Sequence, residues 1–346
     1  MQITRFFIDY KALKVIFILI FALSPEISSA NELNVYSGRK AALIKPLLDQ
    51  FQNETGIKVN LVTAKSDVLI KRIESEGKST TADIFITADV GRLDRAKKMD
   101  LLHKIDTSSI KNKISHNYID NDYKWVGLSK RIRTIIYSKK NVNKNDVSSF
   151  EDLAKDNWKN KICVRSSNNI YNQSLIASLI AHYGEKKAEK IVKQIVNNFA
   201  RKPSGNDRAQ IIAVAKNECD IAIVNHYYYA MMLNSKDEEK RKLAEQVDIL
   251  FLNQKDRGAH VNISGVGITK YSNNIDGAHK LILFLLNNQS QEWYAEINNE
   301  YPVIENSNVT KLLNSWGEIK LDELTLKKLG DLNPNAVKLM DRVGWQ

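Results

Sequence analysis

Cysteine is nearly absent from this chain: Cys163 and Cys219 are the only two in 346 residues. With no histidine cluster at metal-binding spacing beside them, a structural zinc site is excluded, because such sites are built from Cys and His together. Proline occurs 5 times and glycine 14 times. Neither is gathered into a linker, and there is no low-complexity segment and no internal repeat. After residue 30 no apolar run reaches the roughly 20 residues needed to cross a bilayer. The formal charge is +11, which would suit nucleic acid, anionic lipid or small anions as partners, yet the basic residues are scattered. In KDEEKRKLAEQ they alternate with acids, the pattern of a solvated face rather than of a nucleic-acid surface.

Catalytic signatures are missing as well. No GxSxG, HExxH, GxxxxGK(S/T) or GxGxxG occurs, and SGVGITK lacks the spacing that cradles a phosphate. No nucleophile can be nominated together with its base, so an enzyme such as a hydrolase has no residues to rest on.

What is present begins with an address. MQITRFFIDYKALK carries Arg5, Lys11 and Lys14, the apolar run VIFILIFAL follows, and SPEISSA supplies the small residues Ser28 and Ala30. This is the pattern of a secretory signal peptide cleaved near Ala30. It predicts an exported, soluble mature chain of 316 residues with a charge of +10, since three basic and two acidic residues lie in the first thirty. That length suits two domains better than one. An oxidising destination permits a disulfide between Cys163 and Cys219; two buried thiols are the alternative.

Strand-like and helix-like patterns then alternate. LNVYS precedes a helical face of Leu43, Ile44, Leu47, Leu48 and Phe51, and IKVNLVTA precedes SDVLIKRIESEG, with Ser66 or Asp67 placed to cap. ADIFITA precedes DVGRLDRAKKMDLL, where Asp89 suits a cap. This order predicts a parallel sheet with helices on both faces and ligands at the carboxyl ends of its strands. Two long extended stretches, WVGLSKRIRTIIYSKK and GAHVNISGVGITK, separate this set from a second one containing KICVRSS, QSLIASLIAHYG, AQIIAVAKN and CDIAIVN. The reading is an α/β protein of two lobes joined by two hinge strands, with a ligand cleft between them. The amino-terminal lobe is assigned residues 31–130 and 262–305, the carboxyl-terminal lobe residues 131–261 and 306–346.

Three consecutive tyrosines, Tyr227, Tyr228 and Tyr229, stand where CDIAIVN hands over to AMML. Phenolate is a hard anionic oxygen ligand suited to a hard cation. A phenol with a pKa of about 10 ionises at neutral pH only beside strong positive charge, which a trivalent metal supplies. Neighbouring helix residues point about 100° apart, so two adjacent phenols converge more easily where strand turns into helix. Tyr227 and Tyr228 are then candidate ligands, with Tyr229 turned into the lobe. The alternative is that all three pack as amphipathic aromatics.

The opening LNVYSGRKAALIKPLLDQFQNETGIKVNLV, followed in order by LSKRIRTIIY, RSSNNIYNQSLIASLI, IVNHYYYAMML and NQKDRGAHVNISGVGITK, resembles the periplasmic ferric-iron-binding proteins. These are the substrate-binding components of iron(III) ABC transporters within the two-lobed periplasmic binding protein superfamily. The resemblance covers essentially the whole chain after the signal. It implies a periplasmic monomer that delivers Fe(III) to a permease in the inner membrane, with no nucleic acid involved. It implies Tyr171 of YNQSL, Tyr227 and Tyr228 as ligands, Arg133 of KRIR facing the metal, and Arg39 holding a carbonate-like anion. Asn169, Asn172 and Gln173 surround Tyr171 at a predicted helix start and are candidates to support it or an anion. Where some relatives carry a His-Tyr pair this chain has Lys40 and Ala41, which leaves three phenolates from one lobe and the rest to water or carbonate. His226 is expected not to bind metal, His260 to organise a hinge strand, and Tyr36 and Tyr183 to pack. A binding protein of the same fold for a small oxyanion or an organic cation is the competing expectation.

Overall fold

The computed structural model describes residues 31–346; the segment read as a signal peptide lies outside the described residues. Strands β1 (Glu32–Ser37), β2 (Lys58–Thr63) and β3 (Ile84–Ala88) pair in parallel in the order β2–β1–β3. Parallel neighbours need helical return connections, and the helices Lys45–Thr55 and Ser66–Glu76 provide them. Leu47, Leu48 and Phe51 pack with Val35, whereas Leu69, Ile70 and Ile73 pack with Tyr36 in a separate core. Successive strand residues point to opposite faces, so the two helices cover the two sides of the sheet. Neither Ser66 nor Asp67 caps the second helix: Ser66 accepts a hydrogen bond from Thr87 (2.7 Å), and Asp67 pairs with Arg92 (3.1 Å) and Arg95 (2.7 Å). Tertiary partners outbid the local cap.

Beyond β3 the sheet is mixed rather than parallel. The 13-residue strand β4 (Val126–Ser138) is shared between the lobes. Its first half, Val126–Ile132, pairs antiparallel with β8 (Val261–Ile268), which itself pairs antiparallel with β3. Its second half pairs antiparallel with β6 (Ile221–Asn225) and β7 (Val247–Leu250), and the short β5 (Ile162–Cys163) lies parallel to β6. Only Lys130 of β4 escapes full burial, because a strand running through two cores is packed on both faces. The return crossing is at His260, whose carbonyl accepts from the Arg133 N–H (2.9 Å). A further short strand, β9 (Tyr301–Pro302), pairs with Ser129 and Lys130 where the chain crosses again.

Residues 306–346 pack against both lobes rather than one. Helix Leu326–Asp331 touches both Val90–Lys98 and Ile170–Tyr183, and Lys98 bridges Asp94 (2.6 Å) to Asp331 (3.0 Å). A Cβ on Gly330 would lie 2.5 Å from Asp94, so glycine is what permits that approach. Trp345 donates its Nε1–H to the Arg165 carbonyl (2.9 Å). Cys163 and Cys219 are joined as a buried disulfide with Cα atoms 5.9 Å apart, tying β5 to the approach to β6. Among the described residues no helix is long and apolar enough to cross a membrane.

Candidate metal centre

Two helices begin at the cleft. Tyr171 is the second residue of Ile170–Tyr183, and Tyr227 and Tyr228 are the second and third of His226–Leu233. Helical Cα–Cβ bonds tilt toward the amino terminus, so phenols in the first turn project past the helix end into the cleft, where exposed N–H groups favour negative charge. The triplet lies inside the helix rather than ahead of it. The length of the side chain still brings the Tyr227 and Tyr228 rings to 4.3 Å, tilted by 41°. Tyr229 turns the other way and donates to the Val247 carbonyl (2.9 Å).

One guanidinium collects the phenols. Arg131 Nη2 donates to the Tyr171 oxygen (3.0 Å) and, more closely still, to that of Tyr227. The same guanidinium lies 4.5 and 4.7 Å from their ring centroids. Two phenol oxygens touching a single nitrogen must converge. Arg208 stands 5.0 Å over the Tyr228 ring. The cleft encloses about 230 Å³; Gly38, Arg39, Lys40 and Ala88 wall one side, and the three tyrosines, Arg208 and Met231 the other.

Electrostatics decide how many phenols ionise unaided. Burial works against the Tyr171 phenolate, but Arg131 outweighs it and lowers the Tyr171 pKa below the ordinary phenol value. For Tyr227 and Tyr228 burial wins, reinforced by the neighbouring phenols, and both are raised. Three phenolates therefore coexist only if a cation of high charge joins them. Among the described residues no group of three His, Cys, Asp or Glu is placed to hold a metal, while Tyr171, Tyr227 and Tyr228 line the cleft together.

Arg133, expected at the metal, sits one layer behind the phenols. Its Nη1 reaches Asp207 (2.6 Å) and Asn225 (3.1 Å) and its Nη2 reaches Asn172 (2.5 Å). Asp207 also takes Arg165 (2.6 Å), and Asn225 donates to the Tyr227 oxygen (3.2 Å). This buried network fixes the starts of both tyrosine-bearing helices. Asn172 and Gln173 fasten the loop before Tyr171 by donating to the carbonyls of Arg165 (2.9 Å) and Ser167 (2.9 Å), and Asn169 is the residue from which that helix starts. None of these lines the main cleft.

Arg39 does reach the cleft wall, but its fork is filled. Nη1 and Nη2 each lie 3.1 Å from the two oxygens of Glu300, and Nη1 also donates to Ser264 (2.6 Å). Burial alone would raise the Glu300 pKa; Arg39 and Arg131 instead push it down to about 2. Lys40 and Ala41 are exposed, with Lys40 on the cleft rim. His226 accepts from the Ile132 N–H (3.1 Å) and lies 5.1 Å from the Tyr301 ring, tilted by 36°; burial pushes it down to about 4. It is bound to the hinge strand and meets the Tyr227 ring edge-on at 5.7 Å. Asp89 caps its helix by accepting from Gly91 N–H (2.9 Å) and also receives Ser174 from the opposite lobe (2.7 Å). Tyr36 is buried in a core, and Tyr183 packs under Arg257.

Arg131 and Glu300 were not picked out by sequence reasoning. The signal for Arg131 was the neighbouring arginine of KRIR: residues i and i+2 share a strand face, and only the crossing point between lobes tells them apart. Glu300, in NNEYP, had no local signal.

A cleft between two α/β lobes on shared strands is the architecture of a solute-binding protein. The chain belongs to the family of bacterial extracellular solute-binding proteins, with a match over residues 79–320. It is 41% identical over 315 residues to iron uptake protein A1 of Synechocystis sp., covering 91% of this chain and 88% of that one. The Trichodesmium protein IdiA (FutA), solved in complex with iron and citrate, superposes with a TM-score of 0.88 at 46% identity, covering 91% of this chain and 100% of that one. The apo ferric ion-binding protein A of Pasteurella haemolytica gives 0.86 at 40% identity, covering 91% and 98%. The two-lobed fold expected from the sequence is therefore the fold of its relatives.

Proposed function

We propose that this chain is an exported iron(III)-binding protein, monomeric in the periplasm after loss of its signal peptide, that delivers its metal to an ABC transporter permease in the inner membrane. The observation that carries this reading is the convergence of Tyr171 and Tyr227 on one Arg131 nitrogen, with the Tyr228 ring 4.3 Å from that of Tyr227. Three phenolates cancel the charge of Fe(III), and the hard donor suits the hard ion. An octahedral ion keeps about three positions for water or a small anion such as carbonate. The metal is cargo: closure of the lobes encloses it, and opening at the permease releases it. The iron proteins among the relatives support the same reading.

Metal analysis of protein purified without added iron, paired with its visible spectrum, tests it. The expected result is about one iron per chain with a tyrosinate-to-iron(III) charge-transfer band. A chain that takes up iron(III) without that band overturns the ligand set, and one that takes up no iron overturns the function. Each metal bound must also displace phenol protons, so proton release in weak buffer accompanies loading.

A further inference from the structure

The geometry points to Glu300 as the residue that makes this cleft select a cation over a free oxyanion. Two buried guanidiniums border the cleft, Arg39 at 7% exposure and Arg131 at 4%. A pair of desolvated arginines converging on one space is ordinarily an oxyanion site, because the planar forks bind carboxylate or phosphate in a bidentate manner. Here the space between them is occupied from within. One Glu300 oxygen lies 3.1 Å from Arg39 Nη2 and 3.5 Å from Arg131 Nε. The other lies 3.1 Å from Arg39 Nη1 and 3.2 Å from Ser264 Oγ, and receives Ser129 Oγ more closely. The carboxylate is thus held by Arg39 on both oxygens and by Ser264 and Ser129 on one, with Arg131 beside it, which ties it to the arginines rather than leaving it free in the cleft.

A tethered carboxylate competes as an intramolecular ligand, at an effective concentration that a free anion cannot match. A free oxyanion would have to displace it and leave a buried carboxylate without its partner, which is heavily penalised. Glu300 thus neutralises Arg39 while leaving Arg131 Nη2 on the phenols. The three tyrosines remain as oxygen donors lining the cleft, with Lys40 and Arg208 on its walls. The anion-excluding role stands on the apo protein; its consequence for iron rests on the function proposed above.

The test uses inorganic phosphate as probe. The mature protein, Glu300→Gln, Arg39→Met and the double variant Glu300→Gln/Arg39→Met are titrated by calorimetry at fixed ionic strength. Glutamine keeps the shape and removes the charge. The expected result is that the wild type takes up no phosphate, that Glu300→Gln takes up one per chain with affinity at least tenfold higher than any wild-type signal, and that the added Arg39→Met abolishes the gain. The proposal is overturned if Glu300→Gln unfolds cooperatively like the wild type yet binds no phosphate. It is equally overturned if the wild type binds phosphate and Arg39→Met alone removes that binding, a result that does not depend on Glu300→Gln folding. In a second arm, wild-type iron uptake should change less than twofold when bicarbonate is added to bicarbonate-free buffer; a larger rise that Arg39→Met removes also overturns the proposal. Failure of the wild type to bind iron at all would remove the iron reading while leaving the phosphate result standing.

Discussion

The two walls of the cleft are built for different work. The carboxyl-terminal wall supplies every phenol, on the first turns of two helices, and rests on the buried Arg133–Asp207–Arg165 network. The amino-terminal wall presents Gly38, Lys40 and Ala88 and an arginine already committed to Glu300. On the proposed function, grip on the metal is one-sided, and the opposite wall encloses rather than ligates. Contacts that cross between lobes include Asp89 with Ser174 (2.7 Å), Asn234 with Asn299 (3.2 Å), and Glu300 with Arg131 (3.5 Å), the arginine that donates to the phenols. With all three phenols on one lobe, opening on that reading exposes the ion at the permease, and its release is completed by the phenols letting go.

The sharpest way to break this comparison is to remove one phenol. Tyr227→Phe or Tyr228→Phe should lower iron affinity by roughly a thousandfold, about 4 kcal/mol, and shift or abolish the visible band, whereas Tyr229→Phe should leave the band in place. Iron titration followed at the band reads all three, and a band lost in Tyr229→Phe but kept in Tyr228→Phe would reverse the assignment of the triplet. Next comes the foundation. Arg133→Met leaves Asp207 buried with only Arg165 as counter-ion, so the protein should lose about 3 kcal/mol of stability in urea. Iron affinity should fall by less than in either phenol variant, because the phenols themselves remain. Arg131→Met should show the opposite balance, with the larger effect on iron.

Acid separates the hinge from the walls. Burial pushes His226 and His260 both down to about 4 from an ordinary value of 6.5. The unfolded chain takes up protons at these positions below about 6.5, and the folded chain not until about 4. Folded stability is thus fully present above 6.5 and is lost as pH falls through that window. Thermal unfolding of the apo protein from pH 7 to 4 should show this loss, and His226→Gln should flatten it; an unchanged slope would place the acid sensitivity elsewhere. The smallest effect belongs to the amino-terminal wall. Lys40→Ala should change iron affinity by less than about threefold, since Lys40 is exposed and donates nothing to a cation. A larger loss in a direct binding titration would show that the grip has two sides.

Much of the architecture was legible in the residues. Alternating patterns such as LNVYS and IKVNLVTA became β1 and β2, and the extended WVGLSKRIRTIIYSKK became the shared strand β4, because periodicity and β-branching act locally. The antiparallel placement of β8 and β4 was not legible, since strand direction depends on which neighbours the chain returns to. Ser66 and Asp67 show the same limit: each suits a cap, and each found a better partner from residues 21 to 28 positions away.

The sequence by itself determined the three phenols, the absence of any competing metal or catalytic motif, and the alternation that makes two α/β lobes. These follow from residue type and short-range spacing. Only the tertiary structure decided that Arg131 rather than Arg133 meets the phenols, because the two share a strand face and differ only in which side of the lobe crossing they occupy. It alone decided that Arg39 is neutralised by Glu300, 261 residues away. Charge pairing over such distances depends on where three separate segments meet, and no local pattern carries that information.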